Sequence, residues 1–322
     1  MKAIVQDVYG DSDVLRLADI EAPDAAPGRV VVRVKAAGVN MADWHLMTGR
    51  PKLVRLAMGF GGPSKSPVRG QDVAGVVESV GEGVTAFKVG DEVFGAARGS
   101  FAEAVAATPA NLVLKPSGVS FEDAGAATMP AYTALQALRR AGDVSGRRVV
   151  VTGAGGGVGS FVVQLAHARG AHVTAVCSAG KTDLVRGLGA DTVIDYRETD
   201  VTTGSDRFDV VIDFAGGAPL AHWRRVMTPG GVLVLGGDEG GGEIFGPLLR
   251  GLRAGLVRGI RASLLFADVT PDDLVETARL LASGELRVPV ARTYALAEAP
   301  TAIDDLRAAR YAGKLVIVPS AG

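Results

Sequence analysis

Residues 146–178 read GRRVVVTGAGGGVGSFVVQLAHARGAHVTAVCS, and this stretch decides the fold. An apolar strand ends at Thr152, a glycine-rich turn follows, and a helix begins near Val158. Val158, Val162, Leu165 and Ala166 share one helical face, and Gly170 stops the helix before a second apolar strand, AHVTAVCS. Ala154, Gly156 and Gly159 stand in A-x-G-x-x-G spacing. Small residues are needed here because a pyrophosphate must approach the backbone closely, and Gly159 lets the helix pack against the sheet. The helix start at Gly157 and Val158 offers N–H groups and partial positive charge to the phosphates. A glycine turn alone is a weak signal in a chain with 44 glycines. The strand–turn–helix–strand context points to dinucleotide binding rather than to a structural turn.

The end of the second strand predicts which dinucleotide. NAD enzymes place an acid there, about 20 residues past the glycines, for the ribose 2′-hydroxyl. This strand ends Val176, Cys177, Ser178 with no carboxylate, and Lys181 follows. A hydroxyl and an ammonium suit a 2′-phosphate, so NADP(H) is favoured over NAD. The alternative, a solvated lysine, conflicts with the cost of a cation at a helix N-terminus. Tyr196, in VIDYRE, has two readings: stacking on the adenine or bonding a phosphate, and simple packing. Cys177 reads as a small buried strand residue.

Working outward, strands DTVIDY, FDVVIDF and GGVLVLGG alternate with helical stretches such as KTDLVRGLGA. Alternation at this spacing implies a doubly wound parallel sheet buried on both faces. The first 120 or so residues are different, with short strands KAIVQDV, RVVVRVKAAGV, DVAGVVESVG, DEVFGAA and FAEAVAA between Gly, Pro and Asp. After Thr270 come two helices, PDDLVETARLLASG and EAPTAIDDLRAAR, and a final strand KLVIVP. The fold class is therefore α/β, with a discontinuous β-rich domain at 1–122 and 264–322 and a nucleotide domain at 123–263. A chain of 322 residues suits two cores.

Composition narrows the function. With 34 basic against 35 acidic residues, the chain lacks the basic excess that a nucleic-acid or anionic-membrane partner calls for. One cysteine excludes an intramolecular disulfide and any multi-cysteine zinc site. The start, MKAIVQDVYGDSD, does not read as a signal peptide, and no apolar run reaches the length of a membrane span, so a cytoplasmic protein is expected.

Several stretches carry a specific resemblance: AAGVNMADWHLMTG, PVRGQDVAGVVESVGEGVTAFKVGDEVFG, GSFAEAVAATPANLVLKPSGVSFEDAGAATMPAYTALQAL, GAGGGVGSFVVQLA, LGADTVIDY and GKLVIVP. In these the chain resembles the zinc-independent quinone oxidoreductase branch of the medium-chain dehydrogenase/reductase superfamily. The resemblance implies a GroES-like catalytic domain, a Rossmann domain, an active site in the cleft between them, and a homodimer. In the superfamily's alcohol dehydrogenases, zinc is held by an early cysteine and by the histidine of a Gly-His-Glu motif. Asn40 and Gln71 stand at those places here and are poor zinc ligands, and His45, His167, His172 and His222 do not replace them. No metal is expected. Without a Lewis acid, alcohol–ketone interconversion is difficult. Quinones and α,β-unsaturated ketones spread the incoming charge themselves, so positioning, worth about 7–11 kcal/mol in favourable models, suffices.

The same resemblance gives Asn40 a role bonding the nicotinamide carboxamide or the substrate, against a plain turn residue after a strand. It gives Thr133 a place lining the nicotinamide pocket, and lets Lys314 reach the cofactor phosphates, against a surface charge before a strand. The loop tyrosines found in some quinone reductases are missing. His45 is then the candidate proton donor, since an imidazole pKa of about 6.5 suits that role, or else a polar helix residue. Asp43 orients Asn40 or the backbone, or faces solvent, and Trp44 and Met47 line an apolar pocket or belong to the core. The segment from Arg50 to Pro67, with Leu53, Val54, Leu56, Met58 and Phe60, reads as a substrate lid or a surface loop. The expected activity is NADPH-dependent reduction of a small quinone or enone. An enoyl-thioester reductase, a non-catalytic NADPH-binding protein and, more remotely, a methyltransferase are the alternatives.

Overall fold

The computed structural model describes residues 1–50, Arg55, 67–236 and 259–319. In chain order the first elements are β1 (Lys2–Val5), β2 (Arg16–Asp19), β3 (Val30–Val39), α1 (Met41–Thr48), β4 (Asp72–Val80), β5 (Glu92–Ala96), β6 (Ala104–Ala107), β7 (Leu112–Leu114) and α2 (Phe121–Ala141). The alternating part follows: β8 (Arg148–Thr152), α3 (Gly157–Ala168), β9 (His172–Cys177), α4 (Thr182–Gly187), β10 (Thr192–Asp195), β11 (Phe208–Asp213), α5 (Leu220–Val226), β12 (Met227–Leu235) and β13 (Ile260–Leu264). The chain closes with α6 (Pro271–Ser283), β14 (Val290–Ala295), α7 (Ala299–Arg307) and β15 (Lys314–Val318).

Two compact units result, Met1–Tyr132 with Val269–Gly322, and Thr133–Asp268. The sequence reading puts the boundaries at 122/123 and 263/264. Both junctions fall later, at 132/133 and 268/269; the first, like one at 122/123, lies inside α2, which runs unbroken from Phe121 to Ala141, so no composition change marks it.

In the first unit β14-β15-β3-β4-β5-β7 form one sheet, with β6 also on β3. The C-terminal strand β15 pairs antiparallel with the end of β3, Leu315 opposite Val39 and Val316 opposite Gly38. That pairing brings the chain's last strand to the point where β3 gives way to α1. Along β3 only Arg33 is exposed, because strands flank it and both faces are covered. Ile4, Val32, Val73, Val93, Phe101, Ile303 and Ile317 meet in the core of this unit.

The second unit is a six-stranded parallel sheet in the order β10-β9-β8-β11-β12-β13, the doubly wound order expected from the alternating pattern. Val149, Val150 and Val151 are fully buried, as a central strand covered on both faces requires. Helix α3 is more buried than a single apolar face implies: every residue from Gly159 to Ala166 is inside, while Val158 is only partly covered. Gly170, with φ +78°, ends that segment as expected. Two features are missing from the sequence reading. Residues 41–48 form a helix whose bounds the pattern did not mark, and β2, β7, β13 and β14 are short or polar strands formed by pairing rather than pattern. Most of the expected lid, including Leu53, Val54, Leu56, Met58 and Phe60, lies outside the described residues. Among the described residues no helix is long and apolar enough to cross a membrane.

Candidate functional site

The glycine turn is built at the C-terminal end of β8. Gly153, at φ +64°, reverses the chain after Thr152, and the Ala154 amide donates to the Val176 carbonyl, tying the turn to β9. A Cβ at Gly159 would stand 2.2 Å from the Gly153 carbonyl oxygen and 2.8 Å from Ala154 Cα, so helix and turn touch through a position only glycine can fill. Gly156 caps α3, and Gly157 and Val158 open it.

Lys181 leans over this turn. A Cβ at Gly155 would meet Lys181 Cβ at 2.7 Å and Cδ at 2.6 Å. The ammonium is half-buried rather than solvated, and burial pulls its pKa down. Ser178 is half-buried, and its carbonyl accepts from the Lys181 amide at 2.9 Å. Tyr196 is 56% exposed, which sets aside the packing reading and leaves its ring open beside the Arg197 guanidinium, 5.6 Å away. The sequence reading missed Asp195. It stands in register with Cys177 on the neighbouring strand, and its Oδ2 accepts from the Ala179 amide at 3.0 Å. Its Oδ1 accepts from Arg197 N at 2.9 Å, so backbone amides engage both oxygens. Cys177 is buried, and its thiol pKa is raised by that burial. A dinucleotide with a 2′-phosphate fits these residues: a turn of small residues packed on Gly159, an open helix N-terminus, and a lysine held against the turn. Thr133 sits half-buried on α2, the first residue of this unit.

The other expected residues gather in the first unit, in a buried polar cluster. Asn40 follows β3 and caps α1. Its Nδ2 donates to Asp72 Oδ2 at 2.8 Å and, more weakly, to the Gly38 carbonyl at 3.4 Å, while its Oδ1 accepts from Lys314 Nζ at 2.5 Å. Lys314 also donates to the Val39 carbonyl at 2.8 Å. This corrects the surface-charge reading of Lys314. It is 2% exposed and not a surface charge, because β15 pairing buries it under the end of β3. Asn40 is likewise more than a turn residue, with both ends of its amide engaged and 6% exposure.

Asp43 holds the backbone at Asn40: its Oδ2 accepts from the Asn40 backbone N–H at 2.8 Å, and its Oδ1 from Gln71 Nε2 at a long 3.5 Å. Desolvation raises the Asp43 pKa to about 6 against the opposing pull of these bonds and of Lys314 and Arg69. Asp72, fully buried on β4, is pushed up to about 7 for the same reason, and burial lowers Lys314 to about 8. Asp72 Oδ2 also accepts from the Met129 amide, whereas Oδ1 has no hydrogen-bond partner among the described residues. The sequence reading stopped at Gln71 and passed over Asp72 beside it. An acid directly before the apolar run Val73–Val77 was the available signal.

His45 is half-buried on α1. Its Nδ1 lies 2.8 Å from the Arg50 carbonyl, so Nδ1 carries the proton in that contact. Its ring meets Trp44 edge-on, and the Arg307 guanidinium covers Trp44 at 4.5 Å. Met47 belongs to the core.

A zinc ion does not fit this donor set. Asn40 Oδ1 already faces an ammonium, and among the described residues no three His, Cys, Asp or Glu side chains are grouped to hold a metal.

Comparison with known proteins agrees with this architecture. Residues 26–117 match the alcohol dehydrogenase GroES-like domain, and residues 188–317 match a zinc-binding dehydrogenase model. A 2-methylene-furan-3-one reductase of Solanum lycopersicum is 38% identical over 74% of this chain, a match spanning only 62% of that relative's length. NAD(P)H oxidoreductase RTN4IP1, mitochondrial, of Mus musculus is 32% identical over 98% of this chain and 89% of its own. The Escherichia coli quinone oxidoreductase complexed with NADPH superposes with a TM-score of 0.86 at 26% identity, covering 99% of this chain and all of that one. A GroES-like unit together with a doubly wound sheet defines a medium-chain dehydrogenase/reductase. The chain belongs to the quinone oxidoreductase-like branch of that superfamily, and by that membership it is an NAD(P)H-dependent oxidoreductase.

Proposed function

We propose that this protein is an NADPH-dependent, metal-free reductase of quinones or α,β-unsaturated ketones. The observation that carries the reading is the ammonium of Lys314 on Asn40 Oδ1, which fills a metal ligand's place with a cation. A reductase so built has no Lewis acid to hold an alkoxide, and its acceptor must delocalise the charge it receives. The names of the tomato enone reductase and the bacterial quinone oxidoreductase support the same acceptors.

Bound NADPH supplies the hydride. The turn at Ala154–Gly159 and the start of α3 hold its pyrophosphate, and Lys181 with Ser178 and Tyr196 takes the 2′-phosphate. Thr133 lines the nicotinamide site, and Asn40 meets the nicotinamide carboxamide or the substrate through its Oδ1, the side of the amide with a second lone pair. Lys314 supports Asn40 from behind. With Nδ1 held on the Arg50 carbonyl, His45 gives its proton to the reduced product from Nε2. A homodimer acting on a small molecule completes the proposal and rests on the family resemblance.

The test is NADPH oxidation by the purified protein against quinones, enones, enoyl thioesters and aldehydes, with and without a chelator. Turnover of quinones or enones that survives chelation is expected. Chelator-sensitive oxidation of plain secondary alcohols would overturn the reading.

A further inference from the structure

Strands β8 and β11 lie side by side and parallel at the point where the strand order reverses, with Thr152 opposite Asp213. Connections leaving neighbouring strand ends at such a point run in opposite directions and leave a crevice. Both residues end their strands and both are buried.

Their side chains do something neither strand requires. Thr152 Oγ1 donates to Asp213 Oδ1 at 2.6 Å and accepts from the amides of Phe214 and Ala215, each at 3.1 Å. Asp213 Oδ1 accepts in addition from the Gly216 amide at 3.0 Å, and Oδ2 from Trp223 Nε1 at 3.3 Å. Three successive amides thus point inward, onto two side chains. A trans peptide sets its carbonyl opposite its N–H, so the carbonyls of Phe214 and Ala215 face away from Thr152 and Asp213. Gly216 and Gly217, at φ +68° and +85°, give the backbone the left-handed turns this needs. The segment also lies against the glycine turn, for a Cβ on Gly153 would be 3.6 Å from Phe214 Cβ and from the Ala215 nitrogen.

The two lips of the crevice therefore have opposite chemistry. The α3 lip offers N–H donors, which suit phosphate. The 214–216 lip has its donors occupied and turns acceptors outward, which suits hydroxyl and amide N–H groups. We propose that Thr152, Asp213 and Trp223 are positioning residues that hold this second lip for the nicotinamide riboside half of the dinucleotide. The proposal rests on the NADP(H) reading above and adds the three side chains that hold this lip in shape.

The experiment separates the halves. The full chain and its Thr152→Val, Thr152→Ser and Trp223→Phe variants are titrated calorimetrically with NADP⁺ and with adenosine 2′,5′-bisphosphate, which lacks the nicotinamide riboside half. Thr152→Val keeps the shape but removes the one donor and two acceptor roles. It is expected to weaken NADP⁺ by about 10-fold while changing the bisphosphate by less than about 2-fold. Thr152→Ser, which keeps the hydroxyl, restores NADP⁺ binding. Trp223→Phe keeps a large ring and removes a single donor, so it gives a smaller loss on NADP⁺ alone and serves if Thr152→Val does not fold. Parallel losses on both ligands, or unchanged NADP⁺ binding, would overturn the proposal. A parent chain that binds neither ligand would overturn the NADP(H) reading itself, and the proposal with it.

Discussion

The Lys314 ammonium donates to Asn40 Oδ1 across 274 residues of sequence. An ammonium only donates, so this contact settles which way the Asn40 amide points: oxygen toward Lys314, nitrogen toward Asp72.

Removing that donor should be costly. Lys314→Met leaves Asn40 Oδ1 and the Val39 carbonyl unmatched and removes the nearest cation from two buried carboxyls. A loss of about 2–5 kcal/mol in denaturant unfolding is expected, with no change in adenosine 2′,5′-bisphosphate affinity. Loss of bisphosphate binding in a folded variant would return Lys314 to the phosphates.

The same cluster makes stability depend on pH. Asp43 and Asp72 have native pKa values raised from 3.8 to about 6 and about 7, so the native state holds protons that the unfolded state has released. Their contribution therefore falls as pH rises from about 4 to about 7. Lys314, lowered from 10.5 to about 8, works in the opposite sense at higher pH, where losing its proton relieves the cost of burial. Unfolding midpoints of Asp72→Asn should fall less steeply than the parent's over the acid window, where one carboxyl supplies at most about 1.4 kcal/mol per pH unit. Parallel curves would show that Asp72 does not titrate there.

Lys181→Ala tests the 2′-phosphate. NADPH affinity should drop by about 10-fold or more while NADH affinity holds, since only the former carries the extra charge. Equal affinities for the two cofactors in the parent would discredit the assignment.

Gly159→Ala forces a methyl into backbone at the turn. Dinucleotide affinity should fall by at least about 10-fold, with a stability loss of about 1–3 kcal/mol. Gly187→Ala, where nothing stands within 4 Å, is the control and should be neutral or stabilising by up to about 1 kcal/mol. Similar behaviour of the two in calorimetric titration and melting would contradict the close packing at Gly159.

For His45, the pH–rate profile decides. His45→Phe should lose the limb that reports the imidazolium proton, and an unaltered profile would remove the residue from the chemistry.

The nucleotide unit was readable in the sequence because its signals are local: continuous apolar strands, a turn that needs glycine, a helix that starts at once. The polar cluster was not, because its bonds join residues 32 and 274 apart, and a lysine before a strand looks like surface until β15 is paired. Asp195 was hidden for a related reason. Only parallel pairing brings the end of β10 level with Cys177, and a reading along one strand cannot see its neighbour. Thr152 and Asp213 were quoted within their strands, yet the bond between them spans 61 residues and depends on the order in which strands are laid down.

Because β15 completes the sheet that β3 begins, synthesis of the first unit runs far ahead of its own neutralisation. While a ribosome makes the intervening nucleotide unit, Asn40, Asp43 and Asp72 have already emerged, and the cation they converge on has not. Until it does, the end of β3 lacks both its partner strand and the ammonium that β15 carries.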